Sequence, residues 1–351
     1  MAIALPSRLR GSALVVVLWV IGLLSILVSS MAFDAHLEAR LTSYARKRLK
    51  AYYVARSGLD VAEMLLKRSA DIRTTKQEKS DDADDAWFED ARRLADGLAL
   101  VGIDIPLGEG VMNLTLEPEP ARRNVNRLTE EDWERVLVMN GVPEEYWPEL
   151  IDSFQDWIDP DDQPRVHGAE TDDTYALKEP SYRAKNGPLD TVDELLLIRG
   201  FNAAIVYGGE LELKSIFAGT DPDKVGTTPV SGMYDLLTVY GDGKVNVNAA
   251  NLRVLMTLPD LDEVDAGAIM EEREGLLDEA GNQEHEPFLN VGDFMSRMPG
   301  LNPAVRNLVS TDSVYYRIRS VGKVGNVTQE MTCVARFANN RLTVLRWWEE
   351  P

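Results

Sequence analysis

The residues best equipped for chemistry lie in one stretch, FQDWIDPDDQPRVHGAETDDTY (154–175). Asp156, Asp159, Asp161, Asp162, Glu170, Asp172 and Asp173 fall within 18 residues. Carboxylates at this density suit a hard cation such as Ca²⁺, which takes about 6–8 oxygen ligands. With Asp159 as the first loop position, Asp161 falls third, Gln163 fifth, the Arg165 carbonyl seventh and Glu170 twelfth. That is the ligand spacing of a calcium loop, but Pro164 occupies the sixth position, where an EF-hand turn needs glycine. The stretch is therefore not an EF-hand. Two readings stay open: an Asp/Pro-rich turn folded back on calcium, or a solvated acidic loop whose aspartates cap helices.

No catalytic constellation accompanies it. The three histidines, His36, His167 and His285, are far apart in sequence. No H-E-x-x-H, G-x-S-x-G or P-loop pattern occurs. A pair such as Asp156 and Glu170 could serve acid–base chemistry on a glycan, yet nothing in the sequence places the two in a cleft, so no enzyme is expected. The balance of 37 Lys+Arg against 58 Asp+Glu, net −21, opposes nucleic-acid binding, which depends on neutralising phosphates. A single cysteine, Cys333 in the apolar run TCVARF, forbids an internal disulfide and reads as a small core residue.

The elements that must position the acidic stretch begin with an unusual amino terminus. Ser12–Phe33 runs 22 residues without a charge, enough for a transmembrane helix and too long for a secretory signal's apolar core. Beyond it Leu37, Leu41, Tyr44, Leu49, Tyr52, Leu59, Ala62 and Leu66 continue at largely helical spacings, and no proline interrupts residues 12–70. The pattern predicts one helix of some 55–60 residues, about 85 Å long, apolar all round in its first part and amphipathic in its second. Basic residues at 46–50 lie close enough to the span to enter the positive-inside count, so charge alone leaves its orientation open.

Further on, GVMNLTLEPEPA (110–121) alternates as a half-buried strand ended by prolines. SVYYRIRSV (313–321), NVTQEMTCVARF (326–337) and RLTVLRWW (341–348) read as strands, the last two joined by a turn at ANN. A sheet thus opens before residue 121 and is completed after residue 312, around a mostly helical middle. That middle repeats itself. RRNVNRLTEEDWERVL (122–137) and GKVNVNAANLRVLMTL (243–258) each carry N-V-N and then a polar helix cap. GPLDTVDELLLIRGFN (187–202) and EPFLNVGDFMSRMPGLN (286–302) each read as a turn followed by an apolar helix ending at glycine. Such units resemble helix-hairpin-helix or SAM-like folds. In DNA-binding versions a glycine-rich hairpin faces phosphate, whereas here LPDLDEVDAGAI (258–269) carries Asp260, Asp262, Glu263 and Asp265, which oppose it.

A short basic leader, a glycine, a small residue, an apolar helix and an amphipathic continuation resemble the start of type IV pilins and type II secretion pseudopilins. Val16 stands where most members carry glutamate, as in one subset, the minor pseudopilin K family. The middle agrees with that family: D-W-I-D-x-D-D, G-A-E, Y-x-x-K-N and a leucine-rich helix ending in Arg-Gly are all present between 154 and 200.

The resemblance implies an α+β fold, with a long N-terminal helix packed on a small antiparallel sheet and a large, mostly helical insertion. It divides the chain into a leader (1–11), a transmembrane part (12–33), an amphipathic helix with the first part of the pilin-like domain (34–121), a first helical module with the acidic loop (122–245), a second helical module (246–305) and closing strands (306–351). It also implies cleavage by prepilin peptidase between Gly11 and Ser12, with methylation of the new terminus. Calcium is then the expected ligand, held by Asp159, Asp161, Asp162, Glu170 and Asp173. The implied role is a non-enzymatic minor pseudopilin that initiates and caps the pseudopilus tip for export across the outer membrane. Its implied partners are other minor pseudopilins through the N-terminal helix, the peptidase and the inner-membrane secretion platform. The expected setting is a single pass through the bacterial inner membrane with the bulk of the chain in the periplasm. The other expectation is a competence-type minor pilin acting in DNA uptake or adhesion.

Overall fold

The computed structural model describes residues 10–75, 87–213, 226–275 and 285–350. Most of the expected leader, residues 1–9, and the acidic run within 76–86 lie outside the described residues.

Helix α1 (Arg10–Thr75) is a single helix of 66 residues. Every side chain from Ala13 to Arg46 is exposed, and the apolar part has a mean hydropathy of 2.6 with 0% of it buried. A helix that is apolar all round and packed on nothing among the described residues fits a single-pass membrane anchor. From Ala51 onward α1 changes character. Ala51, Val54, Ala55, Ala62, Leu65 and Leu66 are buried at the three- and four-residue spacings that make one face.

That face lies on a five-stranded sheet, β1 (Leu100–Leu107), β2 (Gly110–Pro118), β3 (Tyr315–Val324), β4 (Val327–Ala338) and β5 (Arg341–Glu350), antiparallel throughout and in chain order. Helix and sheet pack tightly at Gly322, where a Cβ would come within 2.2 Å of the Ala51 carbonyl oxygen, so a side chain there would force them apart. The short α2 (Phe88–Ala95) buries Phe88, Ala91 and Leu94 in the same core as Leu65, Leu66, Leu114, Ile318 and Cys333. Burial pushes the Cys333 thiol up to about 12. The β4–β5 turn, Asn339–Asn340, has positive φ at both residues, the signature of a type I′ hairpin. Strand β1 was not apparent in the sequence, because Gly102 and Pro106 break its alternation and its pairing shifts register between Leu100 and Ile103.

Between β2 and β3 the chain leaves the sheet for an insertion of short helices. These are α3 (Glu130–Asn140), α4 (Trp147–Ile158), α5 (Ala203–Tyr207), α6 (Leu252–Leu255), α7 (Glu263–Glu274) and α8 (Val291–Arg297). They share one core, centred on Trp133, Phe154, Leu195, Leu255, Phe288 and Phe294.

The two N-V-N segments make the same bonds. Asn124 accepts from the Asn126 backbone N–H at 3.0 Å, and Asn246 from that of Asn248 at 3.0 Å. The Asn126 amide pairs with the Leu189 backbone in both directions, at 2.7 and 3.0 Å. The Asn248 amide pairs likewise with Phe288, both at 2.9 Å. Each asparagine side chain thus stands in for a strand neighbour and ties the start of its unit to the later turn. One element differs from the expected α-helix: Val192–Leu197 is a 3₁₀ helix. Val192 and Leu195 are buried within it and Ile198 at its C-cap, a strict spacing of three that a three-residue turn keeps in one line while an α-helix drifts away from it.

Candidate functional site

The acidic stretch begins inside α4. Leu150, Ile151, Phe154 and Trp157 are buried along it, Phe154 against Trp133 at 4.7 Å and Trp157 edge-on to Tyr175 at 5.1 Å. Asp156 sits on this apolar side and is fully buried. The chain turns outward after Asp159, the C-cap, and folds back so that Gly168, Ala169 and Glu170 are again buried. Asp156 closes the loop by accepting the Arg165 backbone N–H at 3.1 Å. Gly168 lies so close that a Cβ would stand 1.9 Å from Asp156 Oδ2. Arg199 locks the return by donating to the Gly168 carbonyl and to Glu149, both at 3.0 Å.

The charges inside the loop are poorly balanced. Burial pushes Glu170 up to about 7, and the negative charges of Asp156, Asp159 and Asp162 add to the push against a single favourable Thr171 N–H. Asp159 is raised by burial and by Asp161. Asp156 is raised by burial even though the N–H groups of Arg165 and Ala169 favour its charge. The positive charge at hand is Arg165, with Nε 3.5 Å from Asp156. Three buried oxygens receive no hydrogen bond: Asp159 Oδ1, Glu170 Oε1 and Asn186 Oδ1. Such orphans cost about 1–3 kcal/mol each unless something satisfies them.

The expected ligands are brought together unevenly. Asp159 and Glu170 supply the unsatisfied oxygens, and Asp162 lies close enough to act on Glu170. Asp161 is exposed and accepts the Gln163 N–H at 2.9 Å. Asp173 accepts the Glu170 N–H at 2.8 Å and so holds the Glu170 backbone. Among the described residues no three His, Cys, Asp or Glu side chains converge tightly enough to clasp an ion by themselves. Carbonyl and amide oxygens must complete any coordination shell, and the donor set fits a hard cation of that kind.

One residue of the site was missed in the sequence, and another was read without its structural part: Asp156 was read as a member of the cluster and as a possible acid–base partner of Glu170, not as the buried residue that closes the loop. Asn186, held at φ +49°, donates to the Asp161 carbonyl and to Asp162 Oδ1, both at 3.0 Å, while its own oxygen is one of the orphans. Its signal was the K-N of the Y-x-x-K-N motif.

Comparison with known proteins bears on the chain's family and fold. Residues 111–207 match the family model described as type II secretion system (T2SS), protein K. The chain is 25% identical to the type II secretion system protein K of Pseudomonas aeruginosa over 91% of its own length and 86% of the relative's. It is 28% identical to the protein of that name from Klebsiella pneumoniae, over 56% and 60%. Its fold is similar to that of a chain in the GspK-GspI-GspJ complex of enterotoxigenic Escherichia coli, with a TM-score of 0.59, 15% identity, and coverage of 88% of this chain and 99% of that one. A long apolar helix on a small antiparallel sheet, the inserted helical units and these matches together support the chain's resemblance to type II secretion system protein K.

Proposed function

We propose that this minor pseudopilin of the type II secretion system occupies the tip of the pseudopilus, where it starts and caps assembly for protein export across the outer membrane. The observation that carries this reading is the shape of the chain: an α1 of 66 residues, exposed from Ala13 to Arg46, with a bulky insertion mounted at the far end of its sheet. A fibre shaft built by packing such helices has room for α1 and the small sheet but not for the insertion. Val16 supports the same place. If fibre subunits pair the acid at that position with the terminus of the subunit above, a chain with valine there best sits where nothing lies above.

In this reading prepilin peptidase cleaves between Gly11 and Ser12, the new terminus is methylated, and α1 waits in the inner membrane with the bulk of the chain in the periplasm. The E. coli structure is of a complex with GspI and GspJ, and equivalent minor pseudopilins are the partners expected here, gathered through α1 on the secretion platform.

The acidic loop is assigned to calcium. Asp159, Asp161, Asp162, Glu170 and Asp173 are the proposed carboxylate ligands, and Asn186 joins them through its unsatisfied oxygen. The ion supplies the positive charge that the buried carboxylates lack and ties the 160–174 turn to α4. Calcium should raise the melting temperature of the detergent-solubilised chain relative to chelator, and Tb³⁺ in its place should luminesce on excitation of Trp157. If neither occurs at saturating cation, the loop is only a capped acidic turn. Processing is tested separately, by mass spectrometry of the membrane-extracted protein. A methylated Ser12 terminus is expected, and an intact Met1 in a strain with active peptidase sinks that part.

A further inference from the structure

The charge of the chain is divided along its length. Residues 122–305 hold 37 acidic and 15 basic side chains, net −22, while all other residues together hold 21 and 22, net +1. Within that second group, α1 carries a basic band directly after its apolar part: Arg40, Arg46, Lys47, Arg48 and Lys50, against Asp34 and Glu38. Lys50 is paired with Glu109, and Lys47 reaches Asn326 at 3.5 Å. Arg40, Arg46 and Arg48 are exposed, and among the described residues none of them has a carboxylate within ion-pair distance.

We propose that this band is a docking surface for the headgroups of anionic phospholipids at the point where α1 leaves the bilayer. The proposal rests on the reading of α1 as a single-pass anchor. Arg40 lies about 10 Å beyond Phe33 along the helix and Arg46 about 20 Å beyond it. A headgroup layer occupies about 5–8 Å on each side of the hydrocarbon core. Long helical side chains point back toward the helix N-terminus, which here is the membrane. Arg40 therefore stands among the headgroups, and Arg46, extended toward them, lies within about a Debye length at physiological salt, with Arg48, whose Nε donates to Gln329 Oε1 at 3.5 Å, just beyond it.

The competing occupant, the acidic insertion of a neighbouring copy, is poorly placed. The insertion meets its own chain at the level of Arg73, which pairs with Asp312 at 3.4 Å, about 40 Å further along α1 than Arg46. A copy anchored in the same bilayer holds its acidic surface at that same height. The charge division then works as a pair: an anionic surface attracts the band and repels the insertion.

The test uses the full chain reconstituted in phosphatidylcholine vesicles doped with spin-labelled phosphatidylglycerol or spin-labelled phosphatidylcholine. The restricted lipid fraction is read by electron paramagnetic resonance. We expect a preference for phosphatidylglycerol on the order of fivefold or more, the effect of one well-placed cation at a membrane surface. It should vanish in about 1 M salt and in the R40Q/R46Q/R48Q variant, whose melting temperature should stay close to that of the wild type because all three side chains are exposed and the one hydrogen bond altered, from Arg48 to Gln329 at 3.5 Å, is long and on the surface. Equal association of the two lipids overturns the proposal. So does a preference that survives in the variant, and so does salt-sensitive self-association that the variant loses without any lipid preference. Failure of the chain to float with pure phosphatidylcholine vesicles is a different result and overturns the anchor reading instead.

Discussion

Glu170 is only 2% exposed, sits beside other carboxylates and keeps one oxygen unsatisfied, so in the absence of a cation it destabilises the fold it belongs to. Glu170→Gln keeps the shape and removes the charge. In chelator the variant should melt at or above the wild-type temperature, and it should lose most of the calcium-induced rise. Differential scanning fluorimetry with and without calcium checks both, and a variant that melts lower in chelator while retaining the rise would remove Glu170 from the ligand set. Asp132 shows the opposite balance. Burial opposes its charge, but Arg123 at 2.6 Å and Arg135 at 2.9 Å, with the Thr129 N–H, hold the carboxyl below its ordinary range. A depressed folded-state value contributes stability that is fully present above the unfolded value near pH 4 and is lost as pH falls through the folded one. Asp132→Asn strands two arginines, one of them buried, and should cost about 3–5 kcal/mol at pH 7. Urea unfolding at pH 7 and pH 3 should show that difference shrinking at the acid end.

At the scale of elements, the paired asparagines show what a short motif does and what it leaves unsaid. Asn126 is partly exposed and bonds one turn. Asn248 is buried and also donates to the Asp96 carbonyl at 2.9 Å, which joins the second helical unit to the loop between α2 and β1. Asn248→Ala should therefore destabilise the chain by about 2–3 kcal/mol and Asn126→Ala by about 1 kcal/mol, measured by chemical denaturation. Equal losses would mean that the bond across to Asp96 adds nothing.

The N-V-N repeat, the strands around residues 110–118 and 315–350, and the continuous first helix were legible in the sequence because each depends on local periodicity or capping. Strand β1 was not, since Gly102 and Pro106 break the alternation that marks a strand. Nor was the 3₁₀ form of Val192–Leu197, because a leucine-rich run suits either helix until its packing partner fixes the spacing of buried residues. The site divides the same way. Asp159 and Glu170 stood out by density and motif. The special positions of Asp156 and Asn186 depend on a loop folding back over α4 and on a residue 24 positions beyond Asp162, and neither relation is written in local pattern.

For the whole molecule, α1 connects everything. Among the described residues its apolar part faces no other part of the chain, its middle carries the basic band, and its last third forms one wall of the sheet's core. Placing an acid at position 16 with Val16→Glu tests the tip proposal at this scale. Under the proposed processing, cleavage before Ser12 should be unaffected, because the change lies outside that junction, while secretion of exported proteins should fall if the tip must present no acid to a subunit above. Unchanged export, measured as secreted enzyme activity in the culture medium, would leave the insertion's bulk as the sole support for the tip position.

The way the insertion is mounted has one more consequence. Its two ends arise from neighbouring strands, with Pro118 standing opposite Tyr316 in the ladder, so entry and exit are a single strand spacing apart. A tight turn of a few residues could bridge that gap and return the sheet to a plain meander without shifting its register. The anchor and the sheet are in that sense a socket. What is plugged into it can change in size without disturbing the register of the strands that hold it.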